Sequence, residues 1–292
     1  MSIIKDYNFT KLNKISMIFS LMLIVISIGS IFLQKFNFGI DFTGGVIFDL
    51  NVTNDIFKKT IKDKISTNYE NNIFQSYSNG IIIKIPKKDI ENESKDIENI
   101  TTIIKSISND IIFNKIDFVG PQVGEMLIKS GIISLLLSFV AILLYIWFRF
   151  KLDFGISAIV GLLHNIVILF GFISILQINF DLTTIAAILT VVGYSVNDTV
   201  VLFDRIRENL KIYKNENIGK IVNTSINNNL KRTLYTSIST LLAISPLLFS
   251  TVSGLKNFSN IVSVGIIIGT YSSIFIASSM LIYNYKTNGV KK

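Results

Sequence analysis

The sequence predicts a polytopic α-helical membrane protein with six transmembrane helices and one small exported α+β domain. Half of its 292 residues are apolar, and the apolar residues are concentrated in long runs. Runs of about twenty apolar residues are long enough to cross a bilayer as helices. There are six such runs: Ile15–Leu33, Leu127–Phe148, Phe154–Leu176, Leu182–Phe203, Leu234–Val252 and Ser259–Tyr283. A polar stretch of roughly ninety residues between the first two runs is long enough for one small domain.

Positive charge is concentrated in one set of connections. Lysines and arginines precede the first run, lie between the second and third and between the fourth and fifth, and follow the sixth. The short connections on the opposite side carry little positive charge. The connection at 177–181 contains no lysine or arginine, and the connection between the fifth and sixth runs contains Lys256 alone. Because cytoplasmic loops are enriched in Lys and Arg, we expect both termini in the cytoplasm. Topology accounts for the net charge of +8, so we expect no nucleic-acid partner.

The chain therefore divides at the ends of the apolar runs. We expect a cytoplasmic N-terminus at 1–14, a first span at 15–35, an exported domain at 36–126, five further spans within 127–283 around a cytoplasmic loop at 204–233, and a cytoplasmic tail at 284–292. The basic start also resembles a signal peptide, but the run continues to Leu33, so we expect an uncleaved span. The sequence contains no cysteine. We expect no disulfide, metal or cofactor.

The exported stretch predicts a ferredoxin-like domain with the order β-α-β-β-α-β. Asn54 can cap the first helix, and a Ser-Asn-Gly turn joins the two middle strands. We expect strands at Val46–Val52, Ile73–Tyr77, Ile81–Ile85 and Ile111–Val119, and helices at 55–67 and 93–108. The stretch contains no histidine and no nucleophile with a base. We expect a binding or spacer role and no enzymatic activity.

A glycine-rich segment, FNFGIDFTGG at 36–45, precedes the first strand. Gly44 and Gly45 permit positive φ, while Asp41 and Thr43 can bond nearby backbone amides. We interpret the segment as a tight turn that leads from the membrane into the domain. It is not a phosphate-binding loop, because no Lys-Ser or Lys-Thr pair follows.

Asp198 is a carboxylate inside the fourth apolar run. It lies about five residues, or roughly 8 Å of helix rise, from the charged end of that run. That end carries a cytoplasmic boundary cluster of Asp204, Arg205, Arg207 and Glu208. Because an ionised carboxylate in hydrocarbon is costly, we expect Asp198 to face the protein interior, to have a partner and to serve a function.

A polar stripe is predicted to lead to this carboxylate. Thr190, Tyr194, Asn197 and Asp198 follow the spacing of one helical face. Ordinary interhelical hydrogen bonds would explain the first three residues but not the aspartate. The sixth run carries small residues at four-residue spacing, at Gly265, Gly269, Ser273 and Ala277, which predict close helix packing and no chemistry.

Two further residues each have two interpretations. His164, in the third run, is either a proton relay or a side chain that bonds to a neighbouring helix. Arg232 stands at the mouth of the fifth run, at the leaflet depth of Asp198, with Thr236, Ser239 and Thr240 continuing its face. It is either an ion partner for Asp198 or a snorkelling interface arginine.

Five stretches resemble the SecD/SecF family of bacterial protein-export membrane components, within the resistance-nodulation-division (RND) superfamily. They are FGIDFTGG (Phe38–Gly45), VGPQVG (Val119–Gly124), the stretch Phe180–Asn209, LKRTLYTSISTLL (Leu230–Leu242) and GTYSSIFIAS (Gly269–Ser278). One span, an exported domain and five spans are similar to half of an RND transporter. The stretch Phe180–Asn209 is the most specific of the five.

This resemblance implies a subunit of the Sec export machinery in the bacterial inner membrane, with the exported domain in the periplasm. It implies pairing with SecD, association with the SecYEG channel and YajC, an indirect link to SecA, and contact with the translocating polypeptide. It also implies use of the proton motive force, with the family's proton-site aspartate at Asp198 and an arginine of the same pathway at Arg232.

Two positions depart from the family pattern. The family usually has His-Asp in the third span where this chain has His164-Asn165, so a relay that requires a carboxylate there is in doubt. The segment at 249–254 replaces a compact Phe-Gly-Gly turn, and we expect only a loop difference.

The resulting hypothesis is a non-enzymatic, proton-coupled auxiliary of protein export. Asp198 would alternate between protonated and ionised forms, since burial disfavours its charge and Arg232 favours it. Each charge that crosses the membrane is worth about 2.3 kcal/mol per 100 mV. That is enough to bias domain orientations that differ by a few kcal/mol.

Three alternatives stay open. A scaffold would stabilise SecD and the channel without carrying protons. Half of a small-molecule exporter is disfavoured by the small exported domain. An intramembrane serine protease built on Ser195 and His164 is disfavoured because no loop breaks the fourth run to admit water.

Overall fold

The computed structural model describes residues 7–69, 72–77, 79–86, 93–108, 111–150, 152–213, 215–250 and 252–289. Its helices are α1 (Phe9–Gln34), α2 (Ile40–Thr43), α3 (Asp55–Asn68), α4 (Glu93–Lys105), α5 (Pro121–Arg149), α6 (Leu152–Ile175), α7 (Leu182–Ile212), α8 (Ile218–Leu248), α9 (Ser253–Ser272) and α10 (Ser278–Gly289). A π-helical turn, Ser273–Ala277, joins α9 to α10. The strands are β1 (Gly45–Asn51), β2 (Ile73–Tyr77), β3 (Gly80–Pro86) and β4 (Ile112–Val119).

Five helical segments in the described residues are long and apolar enough to cross a membrane. They are Phe9–Gln34, Val123–Ile146, Leu152–Ile175, Leu182–Ile212 and Gly254–Tyr285. The chain is therefore a helical membrane protein. The expected span at Leu234–Val252 falls in α8 but is not among these five, because the apolar part of α8 is short and follows Lys231 and Arg232 directly. A sixth span stays a prediction.

The small sheet domain has the order of elements that the sequence predicts. Its antiparallel sheet has the strand order β2-β3-β1-β4. Asn54 caps α3 by accepting a hydrogen bond from the Ile56 N–H at 2.9 Å, as expected. Inward side chains of β1 and β3 pack with both helices in one core, which includes Phe48, Ile83, Ile61 and Ile104. Ser78 of the hairpin turn lies outside the described residues, as do 1–6 and 290–292 of the expected termini.

The membrane helices pack closely through small residues, as the stripe in the sixth run predicts. A side-chain carbon on Gly265 would come within 2.2 Å of Val191 on α7, and one on Gly269 within 3.3 Å of Ser195. A side-chain carbon on Gly161 of α6 would meet Ala277 at 3.2 Å. These close approaches fix the register of α9 against α7, the helix that carries Asp198. The segment 249–254, which stands in place of the family's Phe-Gly-Gly turn, includes the connection between α8 and α9. Thr251 of this segment lies outside the described residues.

Candidate functional site

Asp198 is buried near the middle of α7, with 5% of its surface exposed. The helix begins after Asp181, whose side chain accepts from the Thr184 N–H at 2.8 Å. It then continues without a break to Ile212. The carboxylate therefore lies on one unbroken helix and faces the interior of the chain, where the sequence places it.

The polar partner of Asp198 is a hydroxyl on α9. Thr270 Oγ1 lies 3.5 Å from Asp198 Oδ2 and donates to it. The Thr270 hydroxyl also contacts Ser237 Oγ on α8 at 2.7 Å, and Tyr194 OH donates to Ser237 at 3.5 Å. Three hydroxyls, those of Tyr194, Ser237 and Thr270, thus form a chain that ends at the Asp198 carboxylate and joins three helices. Because Thr270 gives its one proton to Asp198, the 2.7 Å contact requires Ser237 to donate to Thr270. The Thr233 carbonyl, 2.9 Å from Ser237 Oγ, is the alternative acceptor for the Ser237 proton.

Arg232 does not form an ion pair with Asp198. The ion pairs among the described residues, counted to 4.0 Å, do not join these two side chains. Arg232 is exposed, although its charge still attracts the carboxylate at longer range. This geometry agrees with the snorkelling interpretation and not with a direct partner.

Arg232 lines a polar cavity of about 540 Å³ between α7 and α8. Its walls are Val201, Asp204, Arg205, Glu208, Asn228, Asn229 and Arg232. The cavity lies at the charged end of α7, one to three turns beyond Asp198. Along α7, the cavity residues follow Asp198, whereas Tyr194, at the other end of the hydroxyl chain, precedes it by about one turn.

The boundary cluster ties α7 to α5. Arg149, at the end of α5, donates to both oxygens of Asp204 at 3.1 Å, and Arg207 pairs with Asp204 at 2.9 Å. Arg205 pairs with Glu208 at 3.0 Å. Asp204 is thus balanced by two guanidinium groups, which leaves Asp198 as the buried carboxylate of α7 without an ion partner among the described residues.

His164 is buried but does not reach Asp198. Its Nδ1 lies 3.2 Å from Asn165 Oδ1, and Asn165 Nδ2 donates to Ser195 Oγ at 2.6 Å. No described residue bonds to its Nε2. Because Asn165 is a neutral amide, this chain joins α6 to α7 but does not provide a carboxylate relay. Of these two side chains, only Asn165 bonds to a neighbouring helix in the described part of the chain, whereas His164 bonds within α6, so both interpretations of His164 stay predictions.

The predicted polar stripe does not form one continuous surface. Thr190 and Asn197 are exposed on the outer face of α7, whereas Asp198 is buried and only Tyr194 is linked to it. The role of Thr190 and Asn197 as a polar lining therefore stays a prediction, and it concerns the outer face of α7. Consecutive helical residues are about 100° apart, so Asn197 faces outward when Asp198 faces α9.

Asp41 also differs from expectation, because it does not bond a nearby amide. Its Oδ2 accepts from the backbone N–H of Leu182, 141 positions away, at 3.3 Å. The positive φ angles of Gly44 (71°) and Gly45 (147°) are confirmed. Thr43 donates to the Gly39 carbonyl at 3.3 Å.

Thr270 and Ser237 belong to the site but are not predicted by the sequence. Thr270 directly follows Gly269, a residue of the small stripe, so close packing on α7 could have indicated a polar contact there. Ser237 lies between Thr236 and Ser239, which were expected to share a face with Arg232. Its inward orientation depends on the rotation of α8, which the sequence alone does not give.

The family described as "Protein export membrane protein SecD/SecF, C-terminal" matches residues 99–287, and the SecD/SecF GG motif matches residues 29–56. The chain belongs to the SecD/SecF family. The GG motif match covers the segment that carries Asp41, Gly44 and Gly45.

Relatives in this family are SecF subunits. The chain is 42% identical over 282 residues to the protein translocase subunit SecF of Rickettsia rickettsii (strain Sheila Smith), which covers 94% of this chain and 91% of that protein. It is 41% identical to the SecF subunit of Rickettsia bellii (strain OSU 85-389), over 94% of this chain and 92% of that protein.

Solved structures of SecDF share the fold. The crystal structure of SecDF from Thermus thermophilus, a translocon-associated membrane protein, superposes with a TM-score of 0.82 at 32% identity. SecDF in a super-membrane-facing form gives a TM-score of 0.77 at 30% identity. These matches cover 98% and 100% of this chain but only 40% of each SecDF chain. The chain thus corresponds to less than half of a SecDF polypeptide.

Proposed function

We propose that the chain is the SecF-type half of a SecD–SecF unit that uses the proton motive force to assist polypeptide export through SecYEG. The observation that carries the proposal is the buried Asp198 carboxylate, held by a hydroxyl and not by an ion pair. A buried carboxylate without an ion partner is costly when ionised and inexpensive when protonated. Changes in access to protons would therefore switch Asp198 between two forms with different surroundings.

Proton coupling also requires that protons can reach Asp198 from both sides of the membrane. The hydroxyls of Tyr194, Ser237 and Thr270 lead to Asp198, and Tyr194 lies about one turn nearer to the start of α7, the end that we place on the exported side. The polar cavity beside Arg232 lies on the cytoplasmic side. We propose that protons reach Asp198 through the hydroxyl chain and leave toward this cavity, with Arg232 favouring the ionised form as the proton leaves.

The outer face of α7 supports a partner subunit. Thr190, Gly193 and Asn197 are exposed there, and no atom lies within 4 Å of where a Gly193 side-chain carbon would stand. An amide facing lipid is costly, and small residues allow another helix to approach closely. We propose that a SecD chain covers this face. SecYEG, YajC, SecA and the translocating polypeptide are proposed as partners on the family resemblance.

The remaining assignments belong to the same proposal. α8 is the sixth span, with its Lys231 and Arg232 at the cytoplasmic interface. The sheet domain is ferredoxin-like, since its strand order and its two helices on one face agree with that fold. It lies in the periplasm and both termini lie in the cytoplasm of the inner membrane. The chain has no enzymatic activity of its own.

A scaffold that stabilises SecD without carrying protons is the second candidate. The lack of an Asp198–Arg232 ion pair favours it, because a coupling mechanism that needs that pair would be incomplete in this conformation. The scaffold does not require a carboxylate at position 198, and this difference separates the two candidates.

Export of a secreted reporter tests the proposal in cells whose only SecF is Asp198→Asn. Asp181→Asn is the matched control, because it makes the same substitution on the same helix and Asn caps helices as well as Asp. Immunoblots would establish equal membrane levels of the subunit and of SecD. Export that falls in Asp198→Asn alone supports proton coupling. Equal export in both variants would replace it with the scaffold.

A further inference from the structure

We propose that the GG segment, Phe36–Gly45, is the mechanical joint between α7 and the exported domain, with Asp41 as its positioning residue. The inference rests on the proposed function, because it names the route by which a change at Asp198 reaches that domain. It also goes beyond that function by assigning a role to residues far from the carboxylate.

The joint begins with a hydrogen bond between two residues that lie 141 positions apart in the sequence. Asp41 Oδ2 accepts from the N–H of Leu182, the first residue of α7, at 3.3 Å. The first N–H groups of a helix have no partner inside the helix, and negative charge is favoured beside them. Asp181 already occupies the usual capping position. Asp41 therefore supplies a second carboxylate to this helix end from the base of the exported domain.

Backbone hydrogen bonds fix the same two segments side by side. The Gly39 N–H donates to the Phe180 carbonyl at 2.9 Å, and the Phe180 N–H donates to the Asn37 carbonyl at 2.7 Å. A side-chain carbon on Gly39 would lie 3.0 Å from that of Asp181. Glycine thus allows the GG segment to lie directly against the residues that begin α7.

An aromatic cluster surrounds these bonds. The ring centroids of Phe36, Phe38 and Phe42 lie 5.3 to 6.1 Å from the ring centroid of Phe180. Phe42 belongs to α2 and is only 6% exposed. Contacts of this kind add to apolar burial and have preferred geometry, so the segment cannot slide freely over Phe180.

The other end of the segment is fixed to the sheet and to α5. Gly45 begins β1, and a side-chain carbon on it would lie 2.2 Å from the Ile85 carbonyl of β3. A side-chain carbon on Gly124 of α5 would lie 2.5 Å from the Phe42 carbonyl. Only three residues separate Asp41 from Gly45, so the connection has little slack. A tilt of α7 is therefore transmitted to the exported domain at this point.

The test measures the separation between the exported domain and the membrane helices by spin-label distance measurement. Cysteines would be placed at Ile112 on β4 and Leu176 after α6, both of which are exposed. The chain has no native cysteine, so this subunit carries no background label. The complete chain would be reconstituted with its SecD partner. Asp198→Asn, which imitates the protonated carboxyl, is compared with the unsubstituted chain.

The expected result is a shift of a few ångströms between the two Asp198 forms, which Asp41→Ala abolishes. Asp41→Asn keeps a carbonyl acceptor and should keep the shift. Asn54→Ala is the matched control, because it removes a helix cap within the same domain but outside the joint. Leu182→Pro is a second variant, because proline is well tolerated at the first helical position and removes the N–H that Asp41 accepts from. It should abolish the shift as Asp41→Ala does.

A shift that persists in both Asp41→Ala and Leu182→Pro would overturn the joint while leaving the proposed function intact. The absence of any shift with Asp41 in place would overturn it as well. The reporter export of Asp198→Asn then decides the proposed function separately, since that assay does not depend on the joint.

Discussion

Thr270 on α9 donates to the buried carboxylate of Asp198 on α7 across 3.5 Å, and Asp198 has no ion partner among the described residues. The same hydroxyl contacts Ser237 of α8 at 2.7 Å. Three helices therefore meet at one hydroxyl. The state of Asp198 can influence their packing without a salt bridge, because the hydroxyl must donate to an ionised carboxylate but can accept from a protonated one.

Removal of the Thr270 hydroxyl should weaken proton-coupled export. Thr270→Val keeps the branched shape but leaves Asp198 and Ser237 without a shared hydroxyl. A hydrogen bond to a charged group contributes about 1.5–3 kcal/mol, and this one is long, so we expect a several-fold loss of gradient-dependent export. Thr270→Ser should retain most of it. Export by Thr270→Val at the rate of the unsubstituted chain, at equal membrane levels, would contradict a role for this contact.

The contacts of Asn165 predict how a carboxylate would behave at this position. Asn165 is 3% exposed and lies beside His164 and Ser195. Asn165→Asp would bury a carboxylate next to a histidine that can carry the compensating charge. We expect thermal stability of the purified complex to fall modestly in Asn165→Asp and much further when His164→Ala is added.

The measure for this pair is a double-mutant cycle on the thermal unfolding of the complex. Contacting residues typically couple by about 0.5–3 kcal/mol, and we expect a value in that range. Additive effects of the two substitutions would show that His164 does not support a charge at position 165.

Two asparagines of α8 hold the N-terminal segment. Asn227 accepts from the Tyr7 N–H at 3.0 Å and donates to the Tyr7 carbonyl at 2.8 Å. Asn223 accepts from the Phe9 N–H at 2.8 Å. Asn227→Ala should therefore free this segment, and trypsin should cut at Lys11 several-fold faster in inverted membrane vesicles.

Asn228→Ala is the control for this cleavage, because Asn228 is an exposed neighbour on the same helix. Cleavage that is equally slow in Asn227→Ala and Asn228→Ala would show that the asparagine contacts do not hold the segment in the membrane.

Tyr77 gives a pH prediction for the sheet domain. Burial, followed by its 2.7 Å hydrogen bond to Asp49, raises the pKa of Tyr77 above its ordinary value of 10.0. Folding therefore favours the protonated phenol. Its contribution to stability is fully present below pH 10 and is lost as the pH rises through the raised pKa.

Absorbance of tyrosinate checks this prediction in the complete chain. The difference between the titrations of the unsubstituted chain and Tyr77→Phe should show a tyrosine that ionises above pH 10. Asp49→Asn should move that titration downward. A difference curve centred at or below pH 10 would contradict the assignment.

Sequence reasoning could predict the elements of the sheet domain because they depend on local chemistry. The cap at Asn54, the hairpin between β2 and β3, and the alternation Val46, Phe48, Leu50 are all encoded within a few residues. Five of the six predicted membrane helices were predictable from length and apolarity for the same reason. The predicted span in α8 stays unconfirmed, because its apolar part is short and directly follows Lys231 and Arg232.

The contacts of the site could not be predicted because they join residues that are distant in sequence. Thr270 lies 72 positions from Asp198, and Asp41 lies 141 from Leu182. Both contacts depend on the rotation of packed helices, which side-chain interdigitation sets. Asp198 itself was predictable, since a lone carboxylate in an apolar run points to function without knowledge of its neighbours.

The central claim is that Asp198 couples the proton gradient to export. Its most direct test is the export of a preprotein into inverted membrane vesicles, with and without a protonophore. The account predicts that the protonophore slows late export in vesicles with the unsubstituted chain and has little further effect with Asp198→Asn at equal subunit levels. A protonophore effect of equal size in both kinds of vesicle would contradict it.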